Sequence, residues 1–316
     1  MDRPAQITRR LKLRQLDALL AVAQSGSMAK AAEILAVTQP VVSKSIADLE
    51  ATLGVRLFDR TSRGVEPTLY GRALIDRSVA IFNDLRTGVT ELQFLSESTA
   101  GELRIGSSEA VAAGLLGAVI DRLRRAYPRL TFEVVLGGDM SHLPLHDLHT
   151  HSIDLVIGRL PSTIPEDMES IFLYEDTAHV VASSKNPLTR RRRVRLDELI
   201  NEPWCGPPFD YFPWSLTAAA FRAAGLTPPQ TVVKARSMLL RNSLLASEKF
   251  LTVYPTTVMH FVAKRMSLKR VPVNLWGATY PVGILTLKNR TINPAATRFI
   301  DCAREVSKAL ARQSPS

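Results

Sequence analysis

The sequence predicts an α+β multidomain chain in three parts: a compact helical head, one long helix, and a larger region of alternating strands and helices. Three observations carry that prediction. Residues 11–68 hold apolar side chains at helical spacing, interrupted only by short capping breaks. Leu69 to Ser98 contain no proline and two glycines, Gly71 and Gly88. After "STAG" the pattern turns to strand–helix alternation, the mark of an α/β architecture. At 316 residues the chain exceeds one typical domain, so two or three compact units are expected.

Composition bounds the rest. An apolar fraction of 46% supplies ample core. Cys205 and Cys302 stand far apart without metal-site spacing, which fits a reducing compartment and argues against a disulfide scaffold. The first residues lack the continuous apolar core of a signal peptide, and no apolar run reaches membrane-span length. A cytoplasmic protein with no membrane partner is expected. The net charge of +10 is spread along the chain; residues 1–68 carry ten Lys/Arg against seven Asp/Glu. Charge permits DNA binding and does not establish it.

In the head, Leu16, Leu19, Leu20 and Ala23 mark one face of a first helix, which "SGS" ends with Gly26 as its C-cap. Ser27 caps a second helix, "MAKAAEIL", whose Ala31 and Ala32 let another helix approach closely. Thr38 caps a third, with Pro40 in its first turn where a missing N–H costs little. There Val42, Ile46, Leu49 and Leu53 form the buried stripe. Pro40, Ser43, Lys44 and Ala47 fall opposite, with Gln39 at the leading end. This short, mostly small face suits the major groove: Gln pairs with adenine, and Ser and Lys reach bases or phosphate. It would equally serve as the solvated face of a small bundle. "GVRLFDRTSRGVEPTLYG" then reads as a short strand pair with Arg60 and Arg63 near its tip, a basic wing for phosphate or the minor groove.

The run from Leu13 to Gly71 resembles the winged helix-turn-helix of the LysR-type transcriptional regulators. The resemblance rests on AAE-x-L, TQP-x-VS, LE-x-x-LG, LF-x-R, Thr68 and Gly71, with Met28 standing where an aromatic is common. It implies a DNA-binding domain at 11–68, with the helix-turn-helix at 28–47, and DNA contacts from Ser27, Thr38, Gln39, Pro40, Ser43, Lys44, Arg60 and Arg63.

Leu74, Ile81, Leu85, Leu92 and Leu95 sit on a repeat of 3.5, with Ser78 and Gly88 at weaker positions, so 69–98 reads as a linker and dimerisation helix. In the resembling family this helix pairs two subunits. The resemblance implies a homodimer or homotetramer reading a dyad-symmetric promoter site in double-stranded DNA, with RNA polymerase a further candidate partner.

The C-terminal part places strands at "ELRIGSS", "LTFEVVLGG", "IDLVIGRL", "IFLYEDTAHVVAS", "WCGPP", "TVVKAR", "KFLTVYP" and "PVGILTLKN". Two mostly parallel sheets are expected, with ligand beyond the carboxyl ends of the strands. This region resembles the family's effector-binding domain, a two-lobed, periplasmic-binding-protein-like fold at 101–312. Lobe I takes about 101–163 and 268–312, and lobe II about 164–267. "DLVIGRL", "PTLYG" and "LTVYP" look nearest to the branch of the galactose-binding-protein and protocatechuate-operon regulators. Candidate effector contacts are the Ser107 and Ser108 hydroxyls after a strand, Gly137 in a turn, Arg159 at a strand end, Phe209 in an aromatic run, and Ser237 before a helix. Each has a plainer structural role as cap, turn, salt bridge or core. The effector is expected to be a carboxylate or sugar-like molecule held between the lobes.

Other signals are weaker. His142, His146, His149 and His151 crowd one stretch without a completing Cys or acid, so no metal and no cofactor is expected. The resembling family often has glycine where His151 stands. "TRRRRVR", Thr189 to Arg195, could be a nucleic-acid patch; a solvated loop is the better reading, between a strand and "LDELI", with a subunit contact to an acidic surface the other alternative. No nucleophile elbow or phosphate loop appears, so no catalytic residue is assigned and no enzyme is expected. A ligand-controlled regulator accounts for all three parts. The alternative, a solute-binding protein with an appended helical head and no transcriptional role, leaves the first hundred residues idle.

Overall fold

The computed structural model describes residues 4–61, 64–96, 100–137, 143–211, 214–275, 279–288, 290 and 292–311. They form two compact units, Met1–Val89 with Thr150–Ser152, and Thr90–His149 with Ile153–Ser316.

The first unit begins with α1 (Pro4–Arg10), α2 (Leu13–Ser25), α3 (Met28–Ile34) and α4 (Gln39–Leu53). Gly26 ends α2 at φ +65°, donating its N–H to the Val22 carbonyl, and the Ser27 hydroxyl accepts from Lys30 N–H to open α3. The buried face of α2 is broader than its leucine spacing implies. Leu16 and Leu19 are buried together with Ala18, Ala21 and Val22, while Leu20 and Ala23 are only half-buried, because α2 packs on both α3 and α4. Ala31 and Ala32 are buried between these helices, where larger side chains would hold them apart.

Thr38 occupies the N-cap of α4, but its hydroxyl makes no capping bond. Pro40 has no N–H to offer, and Val41 N–H goes to the Thr38 carbonyl at 3.0 Å. Val42, Ile46 and Leu49 are buried beneath α4 as the stripe predicts. Gly54 closes the helix at φ +72°. The Glu50 carboxylate then accepts from Leu57 and Phe58 N–H, tying the helix end to the next element.

That element is an antiparallel pair, β1 (Phe58–Thr61) and β2 (Gly64–Pro67). Thr68 caps α5 (Leu69–Ser96), accepting from Gly71 N–H while donating to the Arg56 carbonyl. Gly71 has to be glycine, since a Cβ there would lie 2.1 Å from the Leu57 carbonyl oxygen. α5 runs unbroken for 28 residues. Leu74 packs into the head core and Ser78 is fully buried, whereas Ile81, Leu85, Val89 and Leu92 are exposed along one stripe.

The second unit follows the predicted alternation: β3 (Ala100–Ser107), α6 (Glu109–Val111), a π-turn over Ala112–Leu116, α7 (Gly117–Ala126), β4 (Arg129–Leu136), α8 (Leu145–His149) and β5 (Leu155–Arg159). His151, between α8 and β5, takes φ +57°, a left-handed conformation that glycine adopts without cost. Then come β6 (Met168–Ser183), β7 (Trp204–Gly206), α9 (Trp214–Ala223), β8 (Thr231–Lys234), α10 (Met238–Leu245) and β9 (Thr252–Pro255). The chain closes with α11 (Thr256–Phe261), β10 (Leu268–Arg270), β11 (Thr279–Leu287) and α12 (Pro294–Ala311).

The expectation of two mostly parallel sheets is corrected. One hydrogen-bonded path runs β10-β6-β11-β5-β3-β4, with β9 also on β6, and β7 pairs β8 separately. Among the described strand pairs β3–β4, β3–β5 and β7–β8 are parallel, with a further parallel bridge between Trp204 and Leu251, and the others are antiparallel. The cause is β6, whose 16 residues run through both lobes. Its first part pairs antiparallel with the returning β11, and Ala178 onward pairs with β9 and β10. Two cores lie along it. One gathers Leu103, Ile105, Leu155, Ile284 and Phe299; the other gathers Val180, Trp204, Phe221 and Val253.

Candidate DNA interface and effector cleft

In the head, burial of Val42, Ile46 and Leu49 turns the other side of α4 outward. Gln39, Pro40, Lys44 and Ala47 are exposed and Ser43 is half-exposed. The Gln39 amide donates to the Ser43 hydroxyl at 2.9 Å, which holds both polar tips at the leading end of the helix. Val41, 51% exposed, stands beside them, an apolar group of the kind that meets a thymine methyl. The helical repeat assigned this side correctly in angle, but it did not single out Val41. Arg60 lies on β1 opposite Val65, its side chain outside the described residues, as is the whole of Arg63. Ser27 and Thr38 sit at the N-caps of α3 and α4.

In the second unit the C-terminal ends of β3 and β4 meet where Gly137 N–H donates to the Ser107 carbonyl at 2.9 Å. Ser107 is fully buried and its hydroxyl bonds the Ile157 carbonyl at 3.1 Å, so the proton offered to a ligand is already in use across β3 and β5. Ser108 differs. It is 2% exposed, and its hydroxyl has no partner among the described residues. Ser237 caps α10, accepting from Leu240 N–H at 3.3 Å. Phe209 packs edge-on against Trp204 and Trp214 at 5.6 and 4.9 Å, so its ring serves the second core rather than an open wall. Arg159 ends β5, and burial lowers its pKa.

Glu109 is the cleft residue that sequence reading missed. It opens α6, and both of its carboxylate oxygens lie 3.0 Å from Met238 N, at the start of α10. A carboxylate on a helix N-terminus is favoured by the free N–H groups and the helix dipole. The partners are 129 residues apart, beyond any local pattern. Where β6 passes between the cores, buried Asp176 accepts from Thr177 N–H and from the Thr257 N–H and hydroxyl, and the Tyr174 hydroxyl shares Thr257. Burial raises the Asp176 pKa. His179, three residues along, is pushed down to about 4 by burial and then by Arg270.

Among the described residues no group of three His, Cys, Asp or Glu is placed to hold an ion. His149 bonds the Leu145 carbonyl and Asp167 instead, and His142 lies outside the described residues. No described helix is long and apolar enough to cross a membrane.

A helix-turn-helix with a two-stranded wing, joined in one chain to a two-lobed α/β domain, defines a class: regulators that read DNA with one part and carry a ligand-binding fold in the other. The family model of the LysR substrate binding domain matches residues 96–308, and that of the bacterial regulatory helix-turn-helix protein, lysR family, matches 13–72. The chain belongs to the LysR family of transcriptional regulators. It is 30% identical over 310 residues to the HTH-type transcriptional regulator GbpR of Azospirillum brasilense, covering 96% of this chain and 89% of that one. It is 27% identical over 290 residues to TdcA of Escherichia coli K12, covering 90% of each. Full-length CbnR in complex with its target DNA shares the fold at a TM-score of 0.71 and 19% identity, over 94% of this chain and 100% of that one. The family is one of DNA-binding regulators, not enzymes.

Proposed function

We propose that this regulator binds a dyad-symmetric promoter site as a dimer, or as a tetramer of two dimers, and that a small molecule between its lobes changes how the subunits sit on DNA. The observation that carries the reading is the outer face of α4, where Gln39, Pro40, Ser43 and Lys44 are presented without being needed to hold the helix. Gln39 and Ser43 read base edges, Val41 meets a methyl, and Lys44 and the wing arginines Arg60 and Arg63 hold phosphate. Ser27 and Thr38 position the two helices at the backbone.

Self-association is supported by Ile81, Leu85, Val89 and Leu92, exposed at helical spacing on α5. An apolar stripe of this kind is a pairing seam. The effector site is drawn around Ser108, Gly137, Arg159, Ser237 and Glu109, with Ser107 and Phe209 supporting it from behind. Glu109 already gives α10 a carboxylate, so an effector with its own carboxylate would replace it there and free the lobes to move. A sugar would use Ser108 and leave the latch closed. A cytoplasmic setting fits this work, and RNA polymerase is the partner through which DNA binding would be converted to transcription.

Two experiments test the reading. In sedimentation, Leu85→Asp with Val89→Asp should convert the protein to monomer; unchanged mass would remove α5 from the interface. Thermal shift against carboxylates and sugars should find a stabilising ligand whose effect falls in Ser108→Ala. A ligand acting fully on that variant would place the site elsewhere.

A further inference from the structure

The arginine run has a structure that its sequence pattern does not suggest. Arg190, Arg191, Arg192, Arg193 and Arg195 are all exposed, yet the backbone that carries them is pinned at Thr189 and Val194. Thr189 is buried, and its hydroxyl lies within hydrogen-bonding distance of the Ser183, Ser184 and Asn186 carbonyls. Asn186 caps the single 3-10 turn Pro187–Arg190 and donates to the Glu248 carbonyl. Within the run, between Arg193 and Arg195, Val194 is buried and its N–H bonds the Pro272 carbonyl at 2.9 Å. The side chains are solvated as expected, while the backbone beneath them is held.

The charge is only partly answered within the chain. Arg191 pairs with Glu198 and Arg195 with Asp197, at the surface. Arg190, Arg192 and Arg193 pair with none of the described residues. An open groove of about 400 Å³ is lined by Arg193 and Arg195, by Asp197, which Arg195 already pairs, and by the apolar Val194, Leu196, Leu226 and Val273. Guanidinium groups recognise carboxylates through paired hydrogen bonds, and a preformed apolar groove beside them takes a hydrocarbon anchor.

We propose that this run and groove on the second lobe form a docking surface for an acidic segment of another protein, which lays carboxylates along the arginines and seats one aliphatic side chain in the groove. Two alternatives fit less well. A single small anion would meet one or two of the guanidiniums and leave the other exposed arginines unanswered. A DNA backbone would use the charge but leave the apolar walls unfilled. Rigid presentation favours the peptide, because little backbone entropy is lost on docking.

The test uses the full chain and a labelled synthetic peptide of Asp and Glu with one central Leu, followed by fluorescence anisotropy at low and physiological salt. Three competitors accompany it: the same peptide with Ala for Leu, one with Asn and Gln for the acids, and a short duplex without promoter sequence. The acidic Leu peptide should bind at least ~tenfold more tightly than either altered peptide. Binding should fall by a similar factor in the combined variant Arg190→Ser, Arg192→Ser, Arg193→Ser, and in Leu226→Ala. The triple variant changes exposed, unpaired side chains, so its melting and its promoter footprint should match the parent. No binding, equal binding of the Leu and Ala peptides, or loss of peptide binding together with loss of a tighter duplex contact would overturn the proposal. So would a triple variant whose oligomeric mass changes, which would assign the patch to a second copy of the chain. None of these outcomes depends on the α4 contacts.

Discussion

In the head, the proposed DNA contacts Gln39, Pro40, Ser43 and Lys44 stand on the outer side of α4, away from its core. Around the proposed effector site the polar groups hold the protein together: the Ser107 hydroxyl joins β3 to β5, Ser237 caps α10, and Glu109 reaches from α6 to the start of α10. The difference teaches where specificity can change freely. On α4 a side chain can be exchanged without disturbing Val42, Ile46 and Leu49 beneath it. At the proposed effector site the exchange of Ser107, Ser237 or Glu109 would also remove a bond that the fold uses.

The separation can be broken first at α4. Gln39→Ala and Lys44→Ala should each weaken promoter binding by roughly 10–100-fold, with melting unchanged. Gln39→Ala should also relax base preference, whereas Lys44→Ala should lower the salt dependence by about one counterion. A variant that melted early would show that the outer face is structural after all. In the cleft, Glu109→Ala should cost about 1–2 kcal/mol of stability through loss of the α10 contact, and Glu109→Gln should recover part of it. Denaturation of the second unit measures both, and equal stability of Glu109→Ala and the parent would remove the latch.

Acid should separate the two regions further. The His179 pKa of about 4 lies below its ordinary 6.5, so the unfolded chain takes up the proton first and stability falls as pH drops below about 6.5. By pH 5.5 the loss should approach ~1.4 kcal/mol. Comparison with His179→Gln isolates this term from Asp176, whose raised carboxyl acts in the opposite sense, losing stability as pH rises above its ordinary value. Identical acid profiles would exclude the histidine. The smallest effects come from the two serines. Ser107→Ala should lose about 1 kcal/mol, and Ser108→Ala almost none, while Ser108→Ala blunts the ligand response more. Reversed outcomes would exchange their roles.

The same contrast explains what the sequence discloses. The head is legible because its determinants are local: Gly26 and Ser27 end one helix and begin the next, Pro40 marks a first turn, and each buried stripe lies within one helix. The strands of the lobes were legible one by one, but their pairing was not. β11 returns from the second lobe to lie antiparallel between β5 and β6, and no periodicity within β11 states its partners. Glu109 was unreadable for the same reason, since the helix end it holds is distant in sequence. Phe209 reads equally as pocket lining or core from sequence; the two tryptophans it packs against were visible there, but their geometry was not.

The most direct test is a footprint of the purified full-length protein on the DNA upstream of its own gene and on genomic fragments, across a salt series against random competitor, with Gln39→Ala and Lys44→Ala alongside. Two dyad-related protected halves should appear above the competitor and fade in both variants, at unchanged fold and mass. A correctly folded protein that protects no site above competitor on any fragment, with candidate ligands present, would contradict the α4 face as the reader of a promoter. Protection unchanged in both variants would contradict it as well.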